Sequence, residues 1–129
     1  MILTSLQILI GLFFSILFLQ SGLDKIFNFK GNKGYIQSVF EQTFLKSFAP
    51  LLFIVITFLE MMSGILALVG SVCYLLSGDS MLLVWGLQFS ALSLLALFFG
   101  QRIAKDYAGA GGLVAYFLVA VFGIYLFSA

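Results

Sequence analysis

The sequence predicts an all-α protein: an integral membrane four-helix up-down-up-down bundle, with a short interfacial amphipathic helix between helices one and two. Three observations predict it. Of 129 residues, 63% are hydrophobic and only 9% are charged, with a mean hydropathy of +1.21, far above the globular share of apolar residues. Four apolar runs, with Glu60 the single charged residue among them, approach or exceed the roughly 20 residues an α-helix needs to cross about 30 Å of hydrocarbon. All 6 basic residues lie in two of the connections, Lys25, Lys30, Lys33 and Lys46 in one, Arg102 and Lys105 in the other.

Helix one is expected over residues 2–23. No basic residue precedes Lys25 and no small-residue cleavage site follows the run, so it reads as a retained span rather than a secretory signal. In the long connection 24–47, "YIQSVFEQTF" sets Ile36, Phe40 and Phe44 at i, i+4 and i+8. That is one helical face, and with lysines around it the segment is expected to rest at headgroup level. Helix two is expected over 48–76, with Pro50 in its first turn, where the missing N–H costs nothing. The turn "SGDS" leads to helix three over 81–100, and a basic loop at 101–110 leads to helix four over 111–127. Residues 1–129 thus form a single domain without room for a soluble one.

Basic residues mark cytoplasmic loops, so loops 24–47 and 101–110 are expected to be cytoplasmic and both termini exterior or periplasmic. A net charge of +1 gives no reason to expect a nucleic-acid partner. With no histidine and only Cys73, the chain can form no intrachain disulfide or CxxC pair and lacks the commonest metal and haem ligand. No intrinsic cofactor and no metal site are expected.

Helix contacts in lipid favour small residues and interhelical hydrogen bonds, because acyl tails are as apolar as Leu. The inward faces are therefore the small and polar stripes. Helix one presents Gln7, Gly11, Ser15, Phe18, Gly22 and Lys25, helix two Thr57, Glu60, Ser63, Gly64, Ala67 and Ser71, and helix four Gly109, Gly112, Tyr116 and Gly123. Gly11, Ser15, Gly22, Gly64, Ala67 and Gly112 are the expected packing positions.

Glu60 stands out, one carboxylate within "FLEMMSG". An intramembrane acid costs at least ~2.5–3.5 kcal/mol on insertion scales and marks a functional position by default. Its expected company in a ligand-binding or proton-carrying site is Thr57, Ser63 and Gln88, the last at similar depth on helix three when residues are counted from the expected boundaries. Lys25 lies on the inner stripe of helix one but more than about 10 Å shallower by the same rise. A direct Lys25–Glu60 bridge would need staggered helices or intervening water. The bland alternative is that Glu60 only clamps helices through hydrogen bonds.

The runs "FLQSGLDKIFNF", "FLEMMSGILALVG" and "QRIAKDYAG" resemble the DoxX family of small four-helix bacterial membrane proteins over nearly the whole chain. The most specific elements are Gly22 with Lys25 (GxxK) and Glu60 with Gly64 (ExxxG). The resemblance implies the bacterial inner membrane and a quinone-linked or redox-associated role, with Lys25 and Glu60 as matched positions. It implies an accessory component in which a bound quinone or a partner protein supplies the redox chemistry. Other readings stay open: a non-catalytic structural subunit, or a small proton- or substrate-coupled carrier. The expected partners are the lipid bilayer and another protein or further copies of this chain, and a quinone or lipid is the expected ligand.

Overall fold

The computed structural model describes residues 2–128. These form five α-helices and no strand: α1 (Ile2–Phe27), α2 (Phe29–Phe40), α3 (Ala49–Ser77), α4 (Met81–Ile103) and α5 (Tyr107–Tyr125). A 3₁₀ turn at Lys46–Phe48 leads into α3. Among the described residues four helices, all but α2, are long and apolar enough to cross a membrane, as a multi-pass membrane protein requires.

The local reasons for the ends are visible. Pro50 occupies the first turn of α3, and Gly78 closes that helix at φ +78°, a conformation glycine adopts without a steric penalty. α5 begins at Tyr107 rather than residue 111, because the Asp106 side chain accepts a hydrogen bond from Gly109 N at 3.0 Å. An N-cap of this kind satisfies a donor the first turn would otherwise leave bare, so "AGAGG" is helical and not a loop. α1 continues to Phe27, four residues beyond its expected end, which takes Lys25 into its last turn.

The segment between α1 and α3 also shifts. Its helix covers Phe29–Phe40, so Ile36 and Phe40 lie on it, whereas Phe44 falls outside and is exposed. Thr43 explains the stop. Its hydroxyl donates to Phe40 O at 2.9 Å and accepts from Leu45 N at 3.2 Å, a local side-chain to backbone alternative to continued helix.

The core lies where α1, α3, α4 and α5 meet, and Phe14, Phe18, Ala67, Leu83, Leu87, Leu94 and Ala120 form its buried cluster. Small residues let the backbones touch. A Cβ on Gly64 would sit 2.8 Å from Leu19 N, and one on Gly86 would sit 2.6 Å from Ala67 N. Gly22 faces Met61, while Gly11 faces Ser71 and Ala67. Gly11, Ser15, Gly22, Gly64 and Ala67 are all buried as packing positions should be. Gly112 is the correction: it is exposed, with nothing within 4 Å of a Cβ added there. α5 turns that part of its surface away from the other helices and seats Ala110, Ala120 and Gly123 instead.

Candidate functional site

Glu60 is buried on α3 and holds two partners from one turn of α1. Ser21 Oγ donates to Glu60 Oε2 at 2.5 Å, and Lys25 Nζ lies 2.8 Å from Glu60 Oε1. Lys25 Nζ also donates to Ser21 Oγ at 2.9 Å, closing the three side chains into a ring. Ser21 and Lys25 are four residues apart, so they project from the same helical face. Oε1 has no hydrogen bond of good angle although the ammonium is close. The ion pair holds there by separation, because Coulomb attraction depends on distance far more than on angle.

The direct bridge forms because the helices are staggered. Gly22 lies beside Met61 and Gly64 beside Leu19, so the end of α1 meets α3 well inside it. Counting inward from expected span ends placed residue 23 level with residue 48. α3 has the expected 29 residues, about 43 Å at ~1.5 Å each, but it is not flush with α1, and its first turns project past the end of α1. There they pack against α2, with the Phe29 and Phe53 rings 5.1 Å apart.

Glu60 does not meet its other expected partners. Gln88 is exposed on α4, and α4 presents Ser93 to this level of α3 instead. The Thr57 hydroxyl donates to Phe53 O at 2.8 Å, within its own helix. Ser63 donates to Leu59 O and pairs with Ser93 Oγ at 3.0 Å, a buried contact between α3 and α4. Ser21 was not anticipated from the sequence. Its signal was its i, i+4 relation to Lys25. A second polar clamp lies toward the other end: Tyr74 donates to Gln7 Oε1 at 2.6 Å, and Gln7 Nε2 donates to Leu126 O at 3.0 Å.

A cavity of about 410 Å³ lies between α2, α3 and the C-terminal turns of α4, at the end of the bundle that carries the basic residues. Val39, Phe40, Phe53, Ile56, Leu59 and Phe99 supply much of its apolar wall, and Ala96 and Gly100 leave room beside them. Its volume is within the range of small-molecule sites, ~300–1,000 Å³. Glu60 is not in its wall, although Ile56 and Leu59 on the same helix are. Gln101 and Asp106 are at its polar end, and Gln101 Oε1 is buried without a hydrogen-bond partner.

Among the described residues no three His, Cys, Asp or Glu side chains come together as metal ligands would. No family model matches the chain, and neither a curated protein nor a solved structure matches it.

Proposed function

We propose that this chain is a DoxX-like accessory component of a redox system in the bacterial inner membrane, and that it holds an apolar molecule of the quinone class between α2, α3 and α4. The cavity of about 410 Å³ is the observation that supports this. It is apolar, aromatic-walled and bounded by α2 and by two helices of spanning length, α3 and α4, so an occupant can enter from the bilayer without crossing water. A resident redox centre is not part of the reading. The bound molecule or a partner protein carries the electrons.

On this reading the Ser21–Lys25–Glu60 ring is the lock that holds α1 on α3, beneath the floor on which the occupant rests. The spans run up-down-up-down, with the basic loops cytoplasmic by the distribution of positive charge. α2 lies at the inner headgroup level as an amphipathic cover over the cavity.

The test is a binding isotherm for a short-chain benzoquinone in nanodiscs. Ala96→Phe fills the cavity from a wall position that is itself exposed, and is expected to weaken binding at least tenfold. Ala115→Phe, on the exposed side of α5, is expected to leave it unchanged. Equal isotherms for wild type and Ala96→Phe, or no saturable binding to wild type, reject the proposal.

A further inference from the structure

Gln88 is a polar side chain that the bundle turns outward. It is exposed on α4, on the side away from Gly86, Leu87 and Ser90, which α4 buries. Among the described residues its amide has no hydrogen-bond partner. Its depth follows from the packing of α4 on α3. Gly86 lies against Ala67 and Ser93 pairs with Ser63, so Gln88, between those levels, stands beside the middle of α3 and near the centre of the bilayer. The nearest charged residues along the chain on either side, Asp79 and Arg102, are about 13 and 21 Å away at the helical rise.

Hydrocarbon offers an amide neither donor nor acceptor, and polar side chains in membrane spans face protein for that reason. An outward amide at this depth calls for a partner from outside the chain. Gln20 is exposed as well, but the exposed Asp24 follows it one turn later at the polar end of α1, within reach of the headgroups. Gln88 has no such outlet. The exposed Trp85, Leu92 and Leu95 flank it at alternating spacings of three and four, the period of a left-handed helix pair. Any lipid-facing stripe shares that period, and the amide in its middle is what sets this one apart.

We infer that this face of α4 docks a second copy of the chain, with the two Gln88 side chains paired at the centre of the contact. A carboxamide is both donor and acceptor, so two of them satisfy each other. Copies inserted with one orientation, as the basic loops dictate, are related by a twofold axis along the bilayer normal. That symmetry sets each residue of α4 opposite itself at equal depth. A different protein would need a polar group of its own at this level, whereas a second copy brings one. The amide pair also fixes the register of the two helices, as a polar residue in a coiled-coil seam does. The inference stands apart from the cavity and its occupant.

Förster transfer between donor- and acceptor-labelled protein tests it in liposomes over a range of protein-to-lipid ratios, with labels at Ser80→Cys in a Cys73→Ser background. Transfer is expected to rise with protein density and saturate as a dimer does. Gln88→Leu should weaken association roughly tenfold, the scale of interhelical hydrogen bonds between model peptides. Gln88→Asn, which keeps the amide, should retain most of it, and Gln20→Leu should change nothing. An unchanged melting temperature for Gln88→Leu shows that association is lost and not the fold. In the same background without labels, Leu92→Cys should form an interchain disulfide on oxidation, and Leu118→Cys, on the exposed face of α5, should not. Equal association of wild type and Gln88→Leu, loss in Gln20→Leu instead, or disulfide formation at Leu118→Cys in preference to Leu92→Cys overturns the inference. So does wild-type protein that stays monomeric at every density.

Discussion

Lys25 and Ser21 reach Glu60 from a single turn of α1, and both carboxylate oxygens are engaged. Side-chain exposure is 2% for Glu60 and 16% for Lys25, so the two charges are screened little by solvent and the acid lies deeper than the ammonium. The long lysine stem lets its head reach inward from the basic end of the bundle. Removing one member strands the other. Lys25→Met is expected to cost about 3–5 kcal/mol, the usual penalty for an uncompensated buried charge, whereas Lys25→Met with Glu60→Met should cost much less. Reversible unfolding in mixed micelles measures both, and a double variant no more stable than the worse single would show that the pair is not coupled. Glu60 and Lys25 were separately legible in the sequence as inward-facing charges. Their contact was not, since it depends on how far α3 projects beyond α1.

At the scale of elements, the helices meet through glycine. Gly86 on α4 lies against the backbone of Ala67 on α3, with only 2.6 Å from an added Cβ to Ala67 N. Backbone cannot move aside as a flexible side chain can. Gly86→Ala is therefore expected to destabilise the bundle by roughly 1–3 kcal/mol, as overpacking does. Gly112→Ala meets nothing within 4 Å and should be neutral, or stabilising by up to about 1 kcal/mol through helix propensity. Melting temperatures of the two variants in one detergent separate them, and an equal loss in both would refute the assignment of contact faces. The stripes on α1 and α3 were readable because each packs its small and polar face on a neighbour. α5 was misread at Gly112 because small residues occur on more than one side of it, and periodicity alone does not say which side is covered.

For the whole molecule, the basic residues all gather at one end, which also holds the cavity and α2. If that end is cytoplasmic, the turn between α3 and α4 faces the exterior. In a Cys73→Ser background, which removes the only native cysteine, Ser80→Cys should react with an impermeant maleimide applied to intact cells, and Lys105→Cys should react only after the membrane is opened. The reverse pattern would invert the orientation, and with it the side from which a partner reaches α2.

The sequence by itself determined the helical class, the four apolar spans, the lack of any intrachain disulfide and the faces on which Glu60 and most packing glycines lie, because composition and a 3.6-residue period are local properties of the chain. Only the tertiary structure decided the stagger that joins Lys25 to Glu60, the separation of Gln88 from that pair, and the cavity ending at Gln101. Each of these depends on the axial offset between helices distant along the chain. That offset is set by the backbone contacts at Gly22, Gly64 and Gly86, and no single segment contains it.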